Sequence, residues 1–251
     1  MTDINQIAPD VYRISTFVPE IDLAFNQFLF VDDEPLLYHA GMRRMFPAIR
    51  AAMATVMDPA RLRWIGMSHF EADECGAMNE WLGVAASAEA VCTKVAAMVN
   101  MDDFAVRKPH PLGRNDKLTT GRFAFCLRHT PQLPHGWDAS MMLEETTGVL
   151  LCSDLFHHNG PAEAIVRGDP LPGARLALTD YQKGPLRNYM PFTVNTRKQL
   201  GELADWAPAT LALMHGPAFV CDGRGALLGL ADVMEESLGA PAHPRRDGAP
   251  A

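Results

Sequence analysis

The sequence predicts an α/β fold, either one mixed sheet or two packed sheets with helices outside, and three observations carry that expectation. Short β-branched and aromatic runs alternate with segments of helical length, turn formers punctuate them, and polar residues able to do chemistry recur just beyond the apolar runs. No Pro-, Gly- or Ser-rich linker divides the 251 residues, and with 48% of them hydrophobic the chain can bury one sizeable core. One domain is therefore expected over residues 1–239. The Pro- and Gly-rich stretch 240–251 is expected to be a disordered tail.

Taken in order, "VYRIS" (11–15), "NQFLFV" (26–31) and "PLLYHAG" (35–41) read as strands, the last two parted by the turn "DDEP". "RMFPAIRAAMATVM" (44–57) has helical length and stops before "DP". "RLRWIGM" (61–67) then reads as a buried strand, "GAMNEWLGVAA" (76–86) as a helix and "AEAVCTKVAAMVN" (88–100) as a second helix. Beyond the loop "RKPHPLGRND" come strands in "RFAFCLRHT" (122–130) and "TGVLLCSD" (147–154). A helix in 195–206, a strand in 210–216 and a last helix in 224–238 complete the reading.

Composition excludes several classes. A net charge of −8 argues against a nucleic-acid surface, which needs clustered Lys and Arg. No apolar run approaches the roughly 18 residues of a membrane span, and the N-terminus lacks the charged and apolar regions of a signal peptide, so a cytoplasmic protein without membrane attachment is expected. The five cysteines are odd in number and form no Cys-x-x-Cys, which reads as free buried thiols.

Chemistry concentrates at strand ends. "HFEADECG" (69–76) packs one histidine and three carboxylates into eight residues, and carboxylates at that density resist desolvation unless a cation neutralises them. In an extended segment side chains two apart share a side, so His69, Glu71 and Asp73 are expected to face one point, with Glu74 turned away or placed at the start of the following helix. His135, Asp154 and His215 each follow a predicted strand. Singly, each would be read as a packed histidine or a turn former; together, three histidines and three carboxylates match the mixed nitrogen and oxygen ligand set of a two-metal centre.

The order His69-x-Glu71-x-Asp73, then His135, Asp154 and His215, resembles the ligand pattern of the flavodiiron proteins and oxygen-binding di-iron proteins, the iron-binding branch of the metallo-β-lactamase superfamily. The flanking "LLCSDLF", "PFTVNTR" and "MHGPAF" extend the likeness over roughly residues 8–238. The resemblance implies an αββα sandwich of two mixed sheets flanked by helices, with the site at one edge. It implies that His69, Glu71 and His135 bind one metal, Asp73 and His215 the other, and that Asp154 bridges them together with an oxide or hydroxide. The sequence departs at Glu74, where the superfamily pattern His-x-His-x-Asp-His has a histidine.

Glu71 decides the expected metal. The carboxylates of Glu71, Asp73 and Asp154 offset most of the charge of two divalent cations, and an anionic, oxygen-rich set favours two iron ions, with zinc or manganese as substitutes. The implied function is binding of dioxygen or nitric oxide, either as a binder or sensor or as a reductase fed by a separate flavoprotein or rubredoxin. No flavin is expected in this chain, and homodimerisation is in keeping with the family. The alternative is a dizinc hydrolase of esters, thioesters or lactones. Trp137, Tyr189 and Phe192 are expected to line an apolar pocket beside the ligands; His157 and His158 read as surface-loop residues and His39 as a packed one.

Overall fold

Side chains alternating along each strand face two different cores, and that alternation separates two sheets. In the computed structural model, which describes residues 2–114 and 116–239, one seven-stranded sheet runs β1 (Thr2–Ala8), β2 (Val11–Val18), β3 (Leu23–Phe30), β4 (Leu36–Tyr38), β5 (Trp64–Gly66), β6 (Glu89–Thr93), β7 (His110–Leu112) in both sequence and space. The second sheet is built from β8 (Lys117–Thr119), β9 (Ala124–His129), β10 (Ser140–Glu144), β11 (Val149–Leu151), β12 (Ile165–Arg167), β13 (Thr210–Ala212) and β14 (Ala218–Val220), in the spatial order β12-β14-β13-β11-β10-β9-β8. Both are mixed. Strands β1 to β4 form an antiparallel meander and β4 to β7 run parallel, while in the second sheet β11 with β13 and β12 with β14 are the parallel pairs.

On β3, Phe28 and Phe30 point into the core between the sheets, while Phe25 and Leu29 point outward; Val149 and Leu151 of β11 point inward and Leu150 outward. The outer face of the first sheet is covered by α1 (Phe46–Met53) and α3 (Met78–Val84), through Ile49, Met53, Met78 and Trp81. Between them in sequence lies a four-residue helix, α2 (Ala72–Cys75). The short helices α4 (Lys94–Ala96) and α5 (Asp102–Phe104) follow β6. Three longer helices, α6 (Leu171–Tyr181), α7 (Thr196–Ala204) and α8 (Gly223–Leu238), cover the second sheet through Leu178, Leu200, Leu203, Leu227 and Leu230. The αββα sandwich expected from the sequence is the observed fold.

One element is corrected. The helix expected over 88–100 is instead strand β6 followed by helical turns, with the Thr93 hydroxyl accepting from the Ala96 amide (2.9 Å) at the junction. Val91 faces the inter-sheet core and Ala90 and Cys92 face the outer one, so both faces are apolar and the period-two signal vanishes. Strands β1, β7, β8, β10, β12 and β14 and helix α6 also lie outside the segments read as regular structure. The tail expected at 240–251 falls outside the described residues.

Candidate metal centre

The six residues singled out in the sequence come together at one edge of the sandwich, carried by loops from both sheets. Ser68 and His69 follow β5; the main-chain oxygen of Ser68 accepts from the Ser140 amide (2.8 Å) and hydroxyl (3.0 Å), fastening that loop to β10 of the opposite sheet. His135 lies between β9 and β10, Asp154 follows β11 and His215 follows β13. The His215 loop is anchored to the first sheet by Asn26, whose side-chain amide donates to the oxygens of Leu213 (2.8 Å) and Gly216 (2.7 Å), and by the buried Arg13, which donates to Gly216 (3.0 Å). Gly216 has φ of +129°, where an L side chain would be strained.

Asp154 sits at the centre. Its Oδ2 lies 3.6 Å from Nε2 of both His69 and His135, and its Oδ1 lies 3.5 Å from Nε2 of His215. Glu71 Oε2 approaches His135 Nε2 (2.8 Å) and His69 Nε2 (3.2 Å), and Asp73 Oδ2 approaches His215 Nε2 (3.4 Å). The period-two expectation holds as far as Glu71, whose backbone is extended; Asp73 reaches the site from the first turn of α2. The alternative that Glu74 faces away is corrected. Helix α2 brings its fully buried carboxylate to the same side, with a ligand atom within 4.8 Å of those of Glu71 and Asp73.

The electrostatics fit a cation at this place. Burial would lower the pKa of His215, yet the carboxylates of Asp154 and Asp73 reverse that and raise it to about 10. Glu71 is held down to about 2 by His135 first and then His69. Burial would raise Asp154, and the histidines around it, His215 foremost, hold it below the usual carboxylate range. The carboxylates thus favour positive charge beside them, and they raise the pKa of His215 and His135 accordingly. A metal would take over that role, because the ring nitrogens are already aimed correctly: His215 Nδ1 donates to the Ala24 oxygen (2.8 Å), leaving Nε2 for the site. His69 Nδ1 faces Ser68 Oγ (3.0 Å) and Ser153 Oγ (3.3 Å). Three imidazole nitrogens with carboxylate oxygens form a donor set suited to divalent transition metals.

Two residues read from sequence as bland belong to the site's surroundings. His157 is buried, its ring 4.7 Å from that of His215, and its Nε2 is hydrogen-bonded to the Tyr181 hydroxyl (2.7 Å); the surface-loop expectation fails because 153–158 folds back under α6. His39 is also buried, with Nε2 3.1 Å from Ser68 Oγ, so it stands behind His69. The cavity of about 410 Å³ over the site is lined by Glu71, Asp73, His135, Asp154, His157 and His215, by Tyr181 and Tyr189, and by Leu23, Phe25, Met42 and Leu186. Tyr189 meets its expectation. Trp137 does not, being 68% exposed and outside this cavity, and Phe192 packs toward the helices over the second sheet. Proximity in sequence to His135 placed Trp137 near the site, whereas the turn at Gly136 (φ +83°) separates the two side chains' environments.

Known proteins share this fold. Residues 23–216 match the model of the family described as "ODP family beta lactamase". A curated nitric oxide reductase of Moorella thermoacetica is 24% identical over 200 residues, covering 76% of this chain and 48% of that protein, so the chain spans about half the length of the curated relative it matches. Among solved structures, rubredoxin oxygen:oxidoreductase of Desulfovibrio gigas is similar over 92% of this chain and 61% of its own (TM-score 0.78, 16% identity). The flavodiiron protein of Giardia intestinalis is similar over 92% and 59% (TM-score 0.77, 15% identity). These structural likenesses establish the shared fold. Among the described residues, no helix is long and apolar enough to cross a membrane.

Proposed function

Because the chain belongs to the ODP family of β-lactamase-fold proteins, we propose that it is a non-haem di-iron protein that binds dioxygen or nitric oxide. The observation that carries this reading is the two-sided presentation of Asp154, one oxygen toward His69 and His135 and the other toward His215, which suits a carboxylate shared by two metals. His69, Glu71 and His135 would hold one iron and Asp73 and His215 the other, with zinc or manganese able to substitute. A ferrous pair supplies two adjacent one-electron donors, a match for a diatomic oxidant.

The chain's own groups do the remaining work. Glu71 stands where a histidine would leave the centre more cationic, and its negative charge favours the oxidised state of iron over a zinc Lewis acid. Leu23, Phe25, Met42 and Leu186 keep the cavity apolar above the ligands, which admits a small neutral molecule and limits bulk water. Tyr181 and Tyr189 both line this cavity; the Tyr181 hydroxyl is engaged by His157 and Asn159, whereas the buried Tyr189 hydroxyl has no partner among the described residues and can donate to a guest. Whether the protein senses its ligand or reduces it depends on electrons, for which a separate flavoprotein or rubredoxin is the proposed donor, and the cytoplasm is the proposed place of action. Homodimerisation is proposed from the resemblance alone.

The test is metal analysis of anaerobically prepared protein followed by oxygen titration of the dithionite-reduced form. Two irons per chain with a visible band that persists after one equivalent of oxygen supports a binder or sensor. A band that decays and re-forms on adding electrons supports a reductase. Two zincs, with no optical response after iron replacement and turnover of chromogenic esters, thioesters or lactones, would replace this reading by a hydrolase.

A further inference from the structure

We propose that Glu74 is a seventh protein ligand of the centre, beside Glu71 and Asp73; this rests on the two-metal reading above. Glu74 is buried to 0% exposure, and among the described residues neither of its carboxylate oxygens accepts a hydrogen bond. Its one ion-pair neighbour among the described residues is His69 Nε2, at 3.9 Å from Oε2, which is itself shared with Glu71 and Asp154. An ionised carboxylate in that position is strongly disfavoured unless a cation approaches it. The backbone leaves it little freedom to move away: the Glu74 main-chain oxygen accepts from the Ala40 amide (2.7 Å) and the Ala77 amide donates to the Gly41 main-chain oxygen (2.8 Å), pinning α2 and the turn after it to the loop beyond β4.

The ligand count points the same way. His69, Glu71, His135 and Asp154 already gather as four ligand atoms within 4.8 Å of one another. The other side has Asp73, His215 and the far oxygen of Asp154, one donor fewer, and Glu74 offers a buried donor atom within 4.8 Å of those of Asp73 and Glu71. With Glu74 included, the four carboxylates Glu71, Asp73, Glu74 and Asp154 balance two divalent cations. Such a centre is rich in the hard oxygen donors that suit iron and manganese.

Glu74→Gln keeps shape and removes the anionic ligand, and Glu74→His offers a neutral nitrogen donor in its place. Wild type and both variants would be dialysed against ferrous or manganous ion, metal per chain counted, and the cobalt-substituted forms compared by visible absorption. Metal-free thermal unfolding confirms that each variant is folded. The expected result is two metals in wild type, loss of the second in Glu74→Gln through an affinity at least tenfold weaker, a changed cobalt spectrum, and recovery of the second metal in Glu74→His. Two metals bound by Glu74→Gln with wild-type affinity and spectrum would overturn the proposal and identify Glu74 as a neutral acid hydrogen-bonded to Asp73, a role the glutamine amide can copy. Wild type that fails to hold two metals would instead bring down the two-metal reading itself.

Discussion

Ser68 shows how much of this site is set by residues that never face the cavity. His69 Nδ1 can donate to Ser68 Oγ, whose own proton is then directed to His39 Nε2, while His39 Nδ1 is left to donate to Met214 Sδ (2.9 Å). That direction requires His39 to be neutral, and burial holds its pKa down to about 3. Ser68→Ala should therefore weaken metal binding by roughly tenfold without unfolding the protein, as competition with a chromogenic chelator would show. Unchanged affinity would remove Ser68 from the ligand-orienting chain. The same histidines set the pH response of the metal-free protein. His39 and His157 fall from 6.5 to about 3 on folding, so their contribution is fully present above pH 6.5 and is lost as pH drops toward 3. His215 rises to about 10, so its contribution is fully present below 6.5 and is lost as pH climbs through 10. Urea midpoints of the metal-free protein should peak near pH 6.5; a midpoint rising steadily from there to pH 9 would contradict the His215 assignment.

Among the elements, β5 constrains the site through a single glycine. Gly66 closes that strand three residues before His69, and a Cβ there would lie 2.5 Å from Tyr38 Cδ2, a ring wholly buried between the sheets. Gly66→Ala should destabilise by about 1–3 kcal/mol, measured as a lower denaturant midpoint at unchanged slope, because Tyr38 has no open side to move into. Neighbouring β6 illustrates why some elements could not be read from sequence. A strand apolar on both faces and a helix core look alike over five residues, and only its parallel pairing with β5 and β7 distinguishes them. Strands of three residues, such as β8, β12 and β14, are too short to show any period. By contrast the last helix is legible because sixteen residues carry four turns of the pattern, opened by Asp222 accepting from the Gly225 amide (3.1 Å).

For the molecule as a whole, the centre is a clasp between the two sheets. His69, Glu71 and Asp73 come from the first sheet's loops and His135, Asp154 and His215 from the second's, so metal bound there links the halves of the sandwich and binds the folded state alone. Occupancy at about a thousandfold over the dissociation constant adds roughly 4 kcal/mol. For a chain of this size that is a rise in melting temperature of about 10 °C. Scanning calorimetry with and without chelator checks it, and coincident transitions would mean that the ligands do not hold metal in the native state. Removing inter-sheet packing acts independently: Phe30→Ala, at the crossing of Phe123 and Phe125, should cost about 3–5 kcal/mol whether or not metal is present.

The sequence by itself determined the fold class and the six residues that meet at the sheet edge, because residue type, turn chemistry and position at strand ends are local properties that survive in one dimension. Tertiary structure alone decided that Glu74 faces the site, that His157 and His39 back it, and that Trp137 stands apart. Those outcomes depend on which loops from opposite sheets are brought within a few ångströms, and that proximity comes from packing of distant segments, on which local periodicity has no bearing.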